Sequence, residues 1–396
     1  MNDSDPALNL DFKNTEVAFS NKSDKELKKT AWLFRMMSNA GLVKIGSTLG
    51  LWGIKFKIPF TETVIRKTIF PQFCGGESLL DSQPVIDKLF EYDVMTILDY
   101  GSESKTDEDD LDKTMEETIR AIEMAASNNS VPVVSTKLTG LIDKRVLAKM
   151  HNKEELTEGE QRNYQHLVER LNEICENAHK HNIAIFVDAE ESWIQDPIDE
   201  LVMQMMEKYN TENVFIYNTY QLYNIHKSDH IKRDHQRCLD KGVLFGAKLV
   251  RGAYMDKERE RAQEMGYPSP IHKDKADTDS CFNDGIRYCI ENHATISTCC
   301  ASHNAESNLL QAQLMHEKGI PNDDLHCHFC QLYGMSDNIT FNLANAGYNA
   351  GKYVVYGPIK DVIPYLIRRT EENTSVTGDM GREMQLISSE LSRRGL

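Results

Sequence analysis

Eight short apolar runs, most of them rich in β-branched residues, recur between residues 94 and 356, with longer stretches of helical character between them. They are Met95–Asp99, Val131–Leu138, Ile183–Val187, Val214–Asn218, Leu244–Val250, Thr295–Ala301, Leu325–Cys330 and Lys352–Val355. The intervening segments space their apolar residues at helical intervals, for example in Leu156–Lys180 and Ser307–Lys318. Each run is too short for a helix and is continuous enough to be buried on both faces, as a parallel strand is. Eight strand–helix units in a span of domain size predict a (β/α)8 barrel in preference to a doubly wound sheet. No G-x-G-x-x-G follows any of the runs, which disfavours a Rossmann dinucleotide site. The expected organisation is an N-terminal helical segment over residues 1–90 followed by the barrel over residues 91–385.

Chemistry in such a barrel sits where the strands end. The second run ends at Lys137, and the third continues as Val187-Asp188-Ala189-Glu190-Glu191. The fourth ends Tyr217-Asn218-Thr219-Tyr220-Gln221, and the fifth Lys248-Leu249-Val250-Arg251-Gly252-Ala253-Tyr254. Ser302-His303-Asn304 follows the sixth, and Gln331-Leu332-Tyr333-Gly334-Met335 the seventh. The eighth passes Tyr353 and runs into Tyr356-Gly357-Pro358. Polar and aromatic groups collect at these ends while the run bodies are apolar, a pattern that favours an enzyme over a non-catalytic binding scaffold. Taken singly the residues are ambiguous. Lys137 could snorkel or pair with an acid, and Asp188 or Glu190 could face the barrel axis or cap the next helix. Gly252 and Ala253 suit either a tight turn or the close approach of a flat cofactor.

Charge excludes one class of partner. With 61 acidic against 45 basic side chains the net charge is −16, so the surface repels nucleic acid, and no nucleic-acid motif is present. Nine cysteines without framework spacing fit a reducing compartment. The acidic start, Met1-Asn2-Asp3-Ser4-Asp5, resembles neither a signal peptide nor a presequence. No apolar run approaches the roughly 18 residues of a spanning helix. The expected location is therefore cytoplasmic, with the matrix side of the mitochondrial inner membrane as the alternative if a presequence has been removed. The stretch Ala31–Phe60 holds Arg35, Lys44, Lys55 and Lys57 among its apolar residues and contains no acid. It suits either helices packed on the main domain or a patch that touches an anionic membrane.

His326-Cys327-His328-Phe329-Cys330 superficially suggests a metal site. On a strand its ligands are strung along one face and cannot close around one ion, so no metal is expected. Cys299-Cys300 suits core packing, and neither a nucleophile elbow nor a Walker A loop is present. Near the C-terminus, Arg368 and Arg369 follow the apolar stretch Val362–Ile367. Neighbours on a helix differ by about 100° in direction, so the pair reads either as one surface arginine and one salt bridge or as a receiver of a planar carboxylate.

Five motifs, in this order, resemble proline dehydrogenases: Phe186-Val187-Asp188-Ala189-Glu190, Ala247–Tyr254, Ser302-His303-Asn304, Gln331–Met335 and Tyr365-Leu366-Ile367-Arg368-Arg369. The resemblance implies a distorted (β/α)8 barrel that binds FAD without a Rossmann fold, with its last helix laid over the barrel mouth. It also implies oxidation of L-proline to Δ1-pyrroline-5-carboxylate, the first step of proline catabolism to glutamate, with electrons passed to a membrane quinone. Carried over by position, Lys137, Arg368 and Arg369 would bind the substrate carboxylate, and Asp188 would support them. Tyr254, Leu332, Tyr353 and Tyr365 would wall the proline ring. Asn218, Lys248, Val250, Gly252, Ala253, Ser302, His303 and Asn304 would contact FAD, with Lys275 near its phosphates. Asn218 and Lys248 stand where many bacterial members have Gln and Arg, which is closer to the eukaryotic branch. Tyr353 should crowd a 4-hydroxyl, so proline is expected over hydroxyproline, and hydroxyproline dehydrogenase is the alternative.

Overall fold

The computed structural model describes residues 4–56, 58–103, 105–372 and 379–396. Eight parallel strands close into a barrel in chain order, with the eighth beside the first. They are β1 (Met95–Tyr100), β2 (Val133–Thr136), β3 (Ala184–Val187), β4 (Ile216–Gln221), β5 (Phe245–Val250), β6 (Ile296–Ala301), β7 (Cys327–Leu332) and β8 (Ala350–Tyr356). The (β/α)8 expectation is met.

Local signals account for the alternation. Helix Glu158–His181 starts in a capping box between Thr157 and Glu160 and stops at Asn182, whose φ of 57° is left-handed. The chain then enters β3 within two residues. Helix Lys227–Lys241 ends the same way at Gly242, where φ is 70°, just before β5.

Strand bounds differ from the sequence expectation by up to three residues, and at two strands the reason is identifiable. Expected at Val214–Asn218, β4 instead runs from Ile216 to Gln221. The Asn210 carboxamide accepts the N–H groups of Phe215 and Ile216 and donates to the Ile216 carbonyl, so the approach to the strand is held by a side chain. Expected through Leu138, β2 stops at Thr136, because Leu138–Gly140 turns as a short 3-10 segment.

The chain forms two compact units, residues 1–101 with 331–396 and residues 102–330, a division unlike the expected 1–90 and 91–385. The reason lies within the first unit. Helix Asp24–Met37 packs on helix Asp379–Arg393, and helix Ile359–Glu372 packs on Ala40–Lys55, Thr61–Lys67 and Phe70–Phe73. Arg394 also donates to the carbonyls of Phe19 and Lys22. The N-terminal segment thus shares its core with the C-terminal helices. Helix Ile359–Glu372 carries Arg368 and Arg369 but is not the last helix, since Asp379–Arg393 follows it.

Candidate active site

Side chains alternate along each strand, and the contacts of residues 102–330 reveal which face looks inward. Phe186 of β3 meets the Tyr217 ring edge-on at 5.0 Å. The Tyr217 hydroxyl lies 2.7 Å from Ser297 of β6, and its ring lies 6.5 Å from His328 of β7. Side chains of β3, β4, β6 and β7 can meet only in the lumen. The inward set therefore includes Phe186, Asp188, Tyr217, Thr219, Gln221, Lys248, Val250, Ser297, Cys299 and His328.

At the strand ends this set produces a row of alternating charge. Lys248 Nζ donates to Asp188 Oδ1 at 2.5 Å and lies 5.3 Å from the centre of the Phe186 ring. Asp188 Oδ2 is 3.4 Å from Lys137 Nζ, which is 4.0 Å from Glu103. Ser135 Oγ donates to Asp188 Oδ1 at 3.0 Å. Each of the four charged side chains is at most 17% exposed, so their attraction is screened far less than at a surface. Asp188 stands at the centre and neutralises two lysines.

A second cluster forms just beyond β5 and β6. Arg251 pairs with Asp279, donates to Ser302 Oγ at 3.1 Å and to Ser307, and lies 4.1 Å over the Phe282 ring. Lys275 shares Asp279 at 2.6 Å. Asn304 accepts the Ser307 N–H and caps helix Ala305–Glu317. Two cations, two hydroxyls and a helix N-terminus converge here, a donor set suited to phosphate oxygens.

In the other unit, Arg369 is buried and its guanidinium lies 5.2 Å from the Tyr365 ring one turn earlier. Tyr353 is buried on β8, and its carbonyl accepts the Tyr333 N–H at 2.9 Å. A Cβ added at Gly101, just past β1, would lie 2.5 Å from Val362, so the first turn of helix Ile359–Glu372 rests against the end of β1.

A family model described as proline dehydrogenase matches residues 83–382. The chain belongs to the proline dehydrogenase family. It is 37% identical over 245 residues to proline dehydrogenase 1, mitochondrial, of Drosophila melanogaster, a match covering 59% of this chain and 36% of that protein. It is 27% identical to proline dehydrogenase 2, mitochondrial, of Arabidopsis thaliana, covering 98% of this chain and 91% of that one. A crystal structure of proline utilization A from Bdellovibrio bacteriovorus superposes with a TM-score of 0.71 at 22% identity, over 92% of this chain and 36% of that chain. The chain thus spans little more than a third of the Drosophila protein and of that solved chain.

The structure brings Lys137, Asp188 and Lys248 into one row, and Lys275 and Ser302 into the second cluster with Arg251. Asn218, expected to contact FAD, lies on the outward face of β4. Its amide donates to Asp199 at 3.0 Å, its oxygen accepts the Thr219 N–H, and it faces the helix layer instead of the lumen. Strand alternation gives the inward position to Gln221, which is in register with Val250. Ala253 N–H bonds to the Arg251 carbonyl in a tight turn, and a Cβ on Gly252 would lie 2.6 Å from Met255 Sδ. Tyr254 is buried at the start of helix Met255–Met265. His326 and His328 each spend a ring nitrogen on a backbone carbonyl, of His293 and Leu325 respectively. Burial pushes His328 down to about 4.

The sequence motifs assign no role to Gln221, Arg251 or Glu103, and they leave Glu190 between facing the axis and capping a helix. The alternation counted from Tyr217 could have found the first. The residues present fit FAD: Lys248 and Gln221 face the lumen, and Arg251, Lys275, Ser302 and Ser307 offer donors for its phosphates.

Proposed function

We propose that this protein oxidises L-proline to Δ1-pyrroline-5-carboxylate with FAD as cofactor, the first step of proline catabolism to glutamate, and passes the electrons to a quinone. The observation that carries this reading is the buried Glu103–Lys137–Asp188–Lys248 row at the strand ends of a proline dehydrogenase family barrel. The oxidation removes a hydride from C5 and a proton from nitrogen, leaving a C=N bond. When bound, FAD supplies the two-electron acceptor.

Within that reading Lys137, with Arg368 and Arg369, holds the substrate carboxylate, so the chain contributes mainly orientation. Arg369 is suited to this task because a guanidinium, held here over the Tyr365 ring, can contact a carboxylate through two N–H groups. Asp188 fixes the Lys137 ammonium. Lys248 sets a positive charge in the lumen, where negative charge on a reduced flavin ring would be stabilised. Tyr254, Leu332, Tyr353 and Tyr365 supply the apolar walls, and Gly252, Ala253, His303 and Asn304 the rim of the cofactor site. Gln221 faces the lumen beside Lys248 and joins the residues assigned to the cofactor in this reading.

Anaerobic addition of L-proline to the purified yellow protein is expected to bleach the flavin absorbance near 450 nm, on the order of one flavin per chain. No bleaching would sink the reading. Bleaching by 4-hydroxyproline at an equal or higher rate would shift it to hydroxyproline dehydrogenase.

The acceptor reading has its own support. Trp32, Leu49, Leu51, Trp52 and Val64 on the N-terminal helices, and Phe56, Ile58 and Phe60 in the turn between two of them, are exposed, Trp52 at 61% and Phe60 at 79%. Arg35 and Lys44 are exposed on the same helices, although Lys57 and the Lys55 side chain lie outside the described residues. A cationic apolar patch on a chain of net charge −16 suits an anionic bilayer, where a membrane quinone would be reached. Among the described residues no helix is long and apolar enough to cross a membrane. The names of the Drosophila and Arabidopsis relatives support a mitochondrial setting. Co-sedimentation with vesicles containing anionic lipid is expected to fall about tenfold in Lys44→Glu/Trp52→Glu. Unchanged sedimentation would remove the patch from the account.

A further inference from the structure

Three loops hold the charged row apart from Lys248, which is on β5: the one after β1 carries Glu103, the one after β2 carries Lys137 and the one after β3 carries Asp188. Salt bridges between flexible side chains do not by themselves fix loops, because each ammonium rotates freely on a long stem. A separate set of bonds does. Lys137 opens a turn in which its carbonyl accepts the Gly140 N–H at 3.0 Å. Inside that turn the Thr139 N–H donates to Glu190 Oε1 at 3.0 Å, and the Thr139 hydroxyl donates to Glu190 Oε2 at 2.5 Å. The Thr139 carbonyl in turn accepts the Lys105 N–H at 3.3 Å, which ties in the loop after β1. A Cβ on Gly140 would lie 2.9 Å from the Ser102 carbonyl, so the two loops are in close contact.

Glu190 is anchored from behind. Its N–H donates to Gln195 Oε1 at 2.7 Å, and the Gln195 amide donates to Asp199 at 2.8 Å. Asp199 also receives Asn218 and the buried Lys227. This chain of buried bonds starts in the helix layer and ends at Thr139. Among the described residues no cation pairs with Glu190, which is 4% exposed. Burial, with Glu191 and Glu103 nearby, pushes its carboxyl up to about 7 despite the two Thr139 bonds. A carboxyl buried without a cation costs stability, and here both its oxygens are spent on one residue two positions past Lys137.

We propose that Glu190 is a positioning residue of the substrate site: it clamps the Lys137 turn to the Asp188 loop and so sets where the Lys137 ammonium meets the substrate carboxylate. The inference rests on the substrate role of Lys137 proposed above. Glu190 need not touch substrate or cofactor. The site then consists of a charged row facing the lumen and, behind it, a clamp that holds the spacing.

The test uses the flavin-loaded enzyme and separates KM from kcat. Glu190→Ala is expected to raise the proline KM about tenfold or more, with kcat within about threefold and flavin content unchanged. Glu190→Gln is expected to restore a KM close to wild type, because its oxygen still accepts the Thr139 N–H and its amide can donate to the hydroxyl. Thr139→Val, which breaks the clamp from the other side, should raise KM in the same direction. A wild-type KM in Glu190→Ala, or Glu190→Gln as impaired as Glu190→Ala, overturns the proposal. If Glu190→Ala does not fold, a wild-type KM in Thr139→Val overturns it alone. Lys137→Met separates the clamp from the reading beneath it. A raised KM there beside a wild-type KM in Glu190→Ala overturns the clamp only, whereas a wild-type KM in Lys137→Met removes the reading itself and the proposal with it.

Discussion

Asp188→Ala is expected to lower kcat/KM for proline by roughly 10²–10³-fold, the largest catalytic effect of any single change at the row. The carboxylate touches Lys248, Lys137 and Ser135, at 2.5, 3.4 and 3.0 Å. Without it two ammonium groups share a mostly buried space and lose the carboxylate that lies between them. Their repulsion is strongly felt in such a setting, and each will turn toward water or toward another carboxylate. A displacement of about 1 Å at a substrate-binding cation is enough for a hundredfold loss. Asp188→Asn separates charge from shape. It can still accept the Ser135 hydroxyl bond but cannot neutralise the lysines, so it should fall close to Asp188→Ala. Steady-state kinetics on proline, with thermal denaturation as a control for folding, decide the matter. If Asp188→Ala retains kcat/KM within threefold of wild type, Asp188 does not organise the site.

The row was readable from the sequence because barrel strands announce their own ends. A lysine, an aspartate and a lysine stand at or just past the ends of runs two, three and five, so a strand-by-strand reading places them at one mouth. Facing is a more fragile inference, since an error of one residue in phase reverses every side chain. Asn218 illustrates this. The strand was read as ending there, but the Asn210 carboxamide delays its start, and the alternation set by Tyr217 turns Asn218 outward. Glu190 was legible only as a strand-end acid. That it grips Thr139 depends on two loops meeting, which no periodicity encodes. The N-terminal segment is a related case: it is distant in sequence from the C-terminal helices yet shares their core, a contact that no contiguous stretch of sequence encodes.

The same packing places a charge cluster where the strongest effect on stability is expected. Asp337 pairs with Lys22 at 3.1 Å and with the fully buried Lys352 at 2.9 Å, and Lys352 also donates to the Met335 carbonyl. Glu383, from the C-terminal helix, accepts the Ser336 N–H. Asp337→Ala is expected to destabilise the protein by roughly 3–5 kcal/mol, because it leaves the buried Lys352 ammonium and the partly buried Lys22 ammonium without their shared carboxylate. Lys352→Met added to Asp337→Ala should recover part of that loss, since it removes one of the orphaned charges and keeps the volume. Urea denaturation of the single and double variants measures both, and a loss below about 1 kcal/mol in Asp337→Ala would mean that the lysines find other anions. The pH dependence has two opposite limbs. Lys22 and Lys352 hold Asp337 down to about 2 against the effect of burial, so its contribution is complete above its ordinary value of 3.8 and is lost as pH falls toward 2. Burial and the neighbouring Asp337 charge push Glu383 up to about 7, so its contribution is complete below 4.5 and is lost as pH rises through 7. Glu190, also raised to about 7, adds to the second limb. Glu383→Gln should therefore flatten the decline between pH 4.5 and 7 while leaving the acid limb in place. A decline of unchanged steepness in that variant would assign the whole of that limb to Glu190 and other groups, and would mean that Glu383 is ionised throughout, balancing the two lysines together with Asp337.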